Sequence, residues 1–235
     1  MAIRPPETPS LPFAIERWTR AGHAPVTDEV VTEEPLEIRV RAGEQSAYAT
    51  LAITMRTPGH DVELAIGFLY GEGLITDPAQ VIDARPCLTA PNVVQITLAT
   101  DRDLKAIADT RRFYTTSSCG LCGRSSLEAV ASALKGRRVA GEAVVAAELL
   151  TGLPPQLRAR QTVFDATGGL HGCALFDSTG AWLGVHEDVG RHNAVDKVLG
   201  RAFLDGALPA SDRILVLSGR AGFELIQKAV MAGVS

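Results

Sequence analysis

The chain has 235 residues, 46% of them apolar, with 27 acidic against 23 basic side chains and a formal net charge of −4. That length supports one large domain or two small ones around a buried core, and that charge argues against a broad electrostatic surface for nucleic acid. No uninterrupted apolar run approaches the roughly 18 residues of a membrane span, so no membrane partner is expected.

Residues 1–25 are proline-rich and weakly patterned, and read as an extended arm. Their prolines interrupt the apolar core that a signal peptide needs, so no export signal is expected. From Glu34, apolar and polar residues alternate over 36–40 and 47–55, which predicts a β-hairpin. The stretch DVELAIGFLY, 61–70, sets Val62, Ala65, Ile66 and Leu69 on one helical stripe, with Asp61 placed to cap its start and Gly71 its end. NVVQITLAT, 92–100, reads as another strand. Residues 26–112 are thus expected to form an N-terminal α/β subdomain, followed by a mobile loop over 113–126.

In SSLEAVASALKG, 125–136, a serine can cap a helix whose stripe is Leu127, Val130, Ala131 and Leu134, and Gly136 stops it. EAVVAAELLTGLP and PPQLRARQTVF predict two more helices, separated at the proline pair. GGLHGCALFD and AWLGVHED then read as strands joined by the turn STG. GRHNAVDKVLGRAF is a helix, RILVLSG a buried strand and FELIQKAVMAG a final helix. Strand, helix, strand, helix implies a parallel pair with a crossover, hence a layered α/β domain over 127–235. The chain stops at MAGVS, where another strand is expected to follow.

Four cysteines, Cys87, Cys119, Cys122 and Cys173, are too few for a disulfide scaffold and point to a reducing, cytoplasmic setting. Two of them lie in TTSSCGLCGRSSLE, 115–128. A structural zinc site needs four ligands, and no second C-x-x-C or paired histidines stand at the required spacing. A thioredoxin-like pair should follow a strand in an early βαβ unit, whereas this one follows the polar run TRRFYTTSS. The third option is a nucleophilic thiolate that carries a group. A helix N-terminus lowers a thiol's pKa, Arg124 follows directly, and Gly120 and Gly123 leave the sulfurs open.

VHEDVGRHNAVDK and VLSGRAGFELIQK each pass from an apolar strand through a Gly-Arg pair into a helix. Free N–H groups at a helix start, with Arg191 and Arg220 as bidentate partners, suit phosphate or carboxylate. If the two strands are parallel neighbours, both turns open at one sheet edge, where α/β proteins bind ligands. The blander readings are solvated arginines at ordinary turns, a hydrogen-bonded core histidine at His171, a solvated strand end over 186–188, and Lys197 paired with Asp196 or Glu187 on the surface. The element order also matches zinc nucleobase deaminases, whose signature is H-x-E followed by P-C-x-x-C. Here HNA and GRAGFE occupy those positions, so the ligands and the general base are missing and no structural metal is expected. A redox-sensing nucleotide-binding module is a further alternative.

Taken together, SSCGLCG, TGGLHGCALF, HEDVGRHNAVDK and SGRAGFELIQKAVMAG, with TPGHDVELAIGFLYGEGLI upstream, closely resemble the FdhD family of sulfur carriers needed for active formate dehydrogenase. The resemblance implies an α/β fold with a cytidine-deaminase-like layered core and a smaller N-terminal α/β subdomain. It implies a cytoplasmic homodimer, a persulfide carrier of sulfurtransferase type, that receives sulfur from a cysteine desulfurase. The sulfur passes to the molybdenum bis-guanine-dinucleotide cofactor, bound as substrate before insertion into the formate dehydrogenase catalytic subunit, and a guanine nucleotide is expected to mimic it. Cys119 is then the persulfide acceptor and Cys122 a second acceptor or relay, while Cys173 is packing. The cofactor would lie against Gly168, Gly169, His171, Asp188, Gly190, Arg191, His192, Lys197, Ser218, Gly219 and Arg220. Members usually carry a further C-terminal segment, which the 235 residues lack.

Overall fold

The computed structural model describes residues 8–44, 47–110, 113–114 and 145–234. It opens with two ten-residue strands, β1 (Ser10–Thr19) and β2 (Gly22–Val31), paired antiparallel as an isolated ribbon. Where the sequence predicts an arm over 1–25, the described residues from Ser10 onward form a hairpin reaching residue 31. Pro12 and Pro25 do not prevent it, because a two-stranded ribbon has only edge strands and each strand can lose an N–H towards solvent.

The second sheet has the order β5-β6-β3-β4-β7. Strands β3 (Glu34–Ala42) and β4 (Ala49–Arg56) form the expected antiparallel pair. Leu36, Ile38 and Val40 of β3 point into the core with 1% exposure or less, the period-2 burial of a one-sided sheet. Strand β6 (Val93–Leu98) runs parallel to β3, and β5 (Val81–Pro86) lies antiparallel outside it. Helix α2 (Leu104–Thr110) leads to β7 (Phe113–Tyr114), which pairs parallel with Ala52 and Ile53 of β4.

Helix α1 (Asp61–Gly71) forms as predicted, but neither end is closed by the expected residue. Asp61 is held by buried Arg56, with both contacts at 2.9 Å, and the N-cap is His60 in the left-handed region at φ 57°. At the other end Gly73, φ 67°, makes the left-handed turn that Gly71 was expected to make.

Beyond residue 144, α3 (Ala147–Arg158) runs through Pro154 and Pro155, where a break was predicted. The two carbonyls deprived of N–H partners belong to Leu150 and Thr151, which are exposed to water. Leu153 and Leu157 meanwhile anchor the helix against Ala174 and Phe176. A short helix, α4 (Thr162–Thr167), follows. Strands β8 (His171–Asp177) and β9 (Trp182–Asp188) make the predicted hairpin; then come α5 (Arg191–Leu204), β10 (Arg213–Leu217) and α6 (Phe223–Met231).

The third sheet has the order β10-β8-β9, and both pairings are antiparallel. The parallel pair expected from the crossover, β9 and β10, therefore flanks β8 instead of lying adjacent. Strand β10 is a half-exposed edge strand, not a buried one.

One apolar cluster joins the two larger sheets. It takes Leu36, Ile38 and Ile96 from the second sheet, Cys173 and Leu175 from the third, and the facing sides of α1 and α5. The two helices touch backbone to backbone. A Cβ on Gly67 would overlap the carbonyl of Asp196, and a Cβ on Gly200 would overlap the carbonyl of Glu63.

Candidate functional site

An antiparallel strand between two parallel ones puts the start of β8 beside the ends of both β9 and β10. His171 pairs with Asp188, and Leu217 pairs with Cys173. Ser218 continues the ladder: its N–H donates to the Gly172 carbonyl at 2.9 Å, and its hydroxyl accepts from the Gly172 N–H at 2.8 Å. Gly219 lies so close that a Cβ there would stand 3.2 Å from His171 Nδ1. Gly168 ends α4 in the left-handed conformation at φ 67°. The next residue, Gly169, lies against Val31 of the ribbon, whose methyl would be 2.8 Å from an added Cβ.

The two Gly-Arg turns thus open at one end of the third sheet, as expected, although the strands behind them are not neighbours. Helix α5 starts after Gly190 and α6 after Gly222, and neither has a side-chain cap. The first-turn N–H groups of a helix lack intrahelical acceptors and carry the positive end of its dipole. His192 Nε2 lies 2.9 Å from Glu224 Oε2 and ties the two helix starts together. His171 is held below the usual histidine range, first by burial and then by the charges of Arg191 and His192, with Asp188 opposing. The mouth therefore gathers His171, Arg191, His192, Ser218, Gly219 and the exposed Arg220 around two glycine-capped helix starts. That chemistry suits an anion.

Asp188 and Lys197 stand beneath this mouth rather than at it, 0% and 1% exposed. Lys197 Nζ lies 2.8 Å from Asp188 Oδ2, so its partner is neither of the surface carboxylates considered from sequence. Asp196 is instead paired with Lys228 at 2.6 Å, and Glu187 accepts from the N–H groups of Val163 and Phe164 at the start of α4. Three residues that the sequence reading left unassigned belong to the surroundings: Thr57 and Asn193, which bond Asp188, and Glu224. Their signal was position alone. Thr57 opens the T-P-G turn, Asn193 follows His192, and Glu224 occupies the first turn of α6.

Cys119 and Cys122, with the helix predicted after them, lie outside the described residues. Tyr114, the last residue of β7, precedes Cys119 by five positions in the chain. Cys173 is fully buried in the core, where burial pushes its thiol up, consistent with packing. Among the described residues no group of three or more His, Cys, Asp or Glu side chains is arranged to hold a metal ion. No helix among them is long and apolar enough to cross a membrane.

A family model described as the FdhD/NarQ family matches residues 31–235. A protein named sulfur carrier protein FdhD from Mycolicibacterium paratuberculosis is 50% identical over 222 residues, covering 91% of this chain and 79% of that relative. Its namesake from Sulfolobus acidocaldarius is 40% identical over 207 residues, covering 88% and 75%. A crystal structure from Desulfotalea psychrophila, described as that of a proposed formate dehydrogenase accessory protein, has a similar fold. Its TM-score is 0.73 at 20% identity, over 97% of this chain and 82% of the other.

Proposed function

This chain belongs to the FdhD/NarQ family, and from that premise we propose that it is a cytoplasmic sulfur carrier, of sulfurtransferase type, serving a formate dehydrogenase. The observation that carries the reading is the 50% identity over 222 residues with a protein named sulfur carrier protein FdhD. The anion-suited mouth at the end of the third sheet supports its second half, the binding of a phosphate-bearing substrate.

In this reading the Cys119 thiolate attacks the outer sulfur of a persulfide on a cysteine desulfurase. A new S–S bond forms to Cys119, the donor's S–S bond breaks, and the donor cysteine leaves as a thiolate. Attack by the Cys122 thiolate on the Cys119 sulfur then forms a Cys119–Cys122 disulfide and expels hydrosulfide. The carried sulfur gains two electrons and the two cysteines lose two, so a dithiol reductant must restore the pair. The acceptor is the molybdenum bis-guanine-dinucleotide cofactor, held as substrate with a nucleotide end at the Gly190 and Gly219 turns. The deaminase-like core, the homodimer and the contact with the formate dehydrogenase catalytic subunit belong to the same reading.

Incubation with a cysteine desulfurase and labelled cysteine, followed by intact-mass measurement, tests it. Wild type should gain roughly 32 Da per persulfide, and the Cys119→Ala protein should gain no label while keeping its circular dichroism. Full labelling of Cys119→Ala would overturn the assignment of the first acceptor.

A further inference from the structure

The end of β4 and the loop after it, residues 54–57, are stitched to the turn between β9 and α5. Thr57 uses three atoms: its N–H donates to Asp188 Oδ2 at 3.1 Å, its hydroxyl accepts from the Val189 N–H at 3.1 Å, and its carbonyl accepts from Lys197 Nζ at 2.9 Å. Asn193 works from the other side. Its Nδ2 donates to the Met55 carbonyl at 2.7 Å and to Asp188 Oδ1 at 2.9 Å, and its Oδ1 accepts from the Thr54 hydroxyl at 3.3 Å. Asp188 also accepts from the Gly190 N–H at 2.8 Å. Thr57, Asp188 and Lys197 are each at most 2% exposed.

A buried carboxylate beneath a turn that faces an anion should repel that anion. Here Lys197 supplies the opposing charge within 2.8 Å, so the floor of the site is close to neutral. With its charge matched, Asp188 is left with the directional task of a cap: it orients the Gly190 N–H and the start of α5, which has no side-chain cap of the usual kind. Of the residues that fix Asp188, Thr57 comes from just beyond β4, the strand whose Ala52 and Ile53 pair with β7, while Asn193 and Lys197 lie on α5.

We propose that Thr57 and Asn193 are positioning residues for the ligand site, acting through a charge-neutral Asp188–Lys197 pair that aims the Gly190 turn at an anionic ligand. The proposal rests on reading this sheet end as the nucleotide-end site. A role confined to joining two units would make each substitution independently harmful. A charge-balancing role instead makes the loss of one partner correctable by loss of the other.

GDP serves as the probe, titrated calorimetrically against the full chain. Lys197→Met should weaken GDP binding about tenfold or more, because it leaves Asp188 unpaired. The double variant Asp188→Asn with Lys197→Met should return to within about threefold of wild type. A double variant as weak as the single one, or an unimpaired Lys197→Met, would overturn the proposal. Should Lys197→Met fail to fold, Asn193→Ala carries the test: about threefold weaker GDP binding is expected, and unchanged binding overturns it. A wild type that takes up sulfur at Cys119 yet binds no GDP would overturn this proposal together with the anion reading, and leave the sulfur-carrier reading standing. A wild type that binds GDP, with Lys197→Met and Asn193→Ala unaffected, would overturn the positioning role alone.

Discussion

His186 and His60 meet edge to face with ring centroids 4.3 Å apart, and Glu63 Oε1 lies 3.5 Å from His60 Nδ1. Burial, with help from His60, pushes His186 down from 6.5 to about 4, while the hydrogen bond from His60 draws Glu63 down from 4.5 to about 2. A histidine held neutral in the fold stabilises it fully above pH 6.5, and that stability is lost as pH falls from 6.5 to about 4, because the unfolded chain takes up the proton first. The Glu63 contribution is present above 4.5 and fades between 4.5 and about 2. Acid should therefore weaken the fold in two stages. His186→Gln should flatten the first, sparing roughly 2 kcal/mol of the loss; this is less than the full linkage value because the ring is only partly shielded. Melting temperatures taken between pH 7 and 4 check this, and parallel curves for the two proteins would contradict it. The blander sequence reading made 186–188 a solvated strand end; what sets His186 apart is burial, with His60, more than a hundred positions away in sequence, against its ring.

At the scale of elements, the contact of α1 with α5 is the tightest glycine approach among the described residues. Gly67 and Gly200 permit it, each facing a backbone carbonyl of the opposite helix with no room for a Cβ. Neither flexible side chains nor rotamer changes can relieve such an overlap, so the helices must part and open the core around Leu64, Val195 and Leu199. Gly200→Ala should cost about 3 kcal/mol, at the upper end for overpacking, and denaturant titration should show the midpoint falling. A midpoint shift smaller than that of a Gly152→Ala control, where an added Cβ would meet nothing within 4 Å, would refute the close-crossing account. Further along, Asp196 on α5 and Lys228 on α6 form a buried pair at 2.6 Å; burial holds the Asp196 carboxyl above its usual range and Lys228 draws it back. The Tyr70 hydroxyl adds a hydrogen bond to the Met231 carbonyl at 2.8 Å, so α1, α5 and α6 are joined pairwise.

For the whole molecule, the apolar cluster shared by the two larger sheets predicts one cooperative unfolding event despite the two sheets. Far-UV circular dichroism and amide exchange at β3 and at β8 should give coincident transitions, and a separate early loss of either sheet would refute the shared core. The elements of that core were largely legible beforehand: the β3–β4 hairpin, α1, β6, the β8–β9 hairpin, α5, β10 and α6 follow from alternation and helical stripes, because those periods record which face is buried. What the periods could not record is pairing between distant segments. The prolines of the β1–β2 ribbon read as an arm because edge strands tolerate them only when a partner strand is present, and the proline pair in α3 read as a break because exposed carbonyls and two anchoring leucines are facts of packing. The site divides in the same way. Gly190, Arg191, Gly219 and Arg220 were recognisable because a Gly-Arg pair between strand and helix has local chemistry. Asp188 and Lys197 were named as ligand contacts, yet they lie under the mouth as a neutralised pair, held by Thr57. By itself, then, the sequence determined the elements, the reactive residue types and the family resemblance, since each depends on near neighbours in the chain. Only the tertiary structure decided which end of which sheet gathers the turns, and which charges face a ligand or cancel beneath it, because burial and partner distance are properties of segments far apart in sequence.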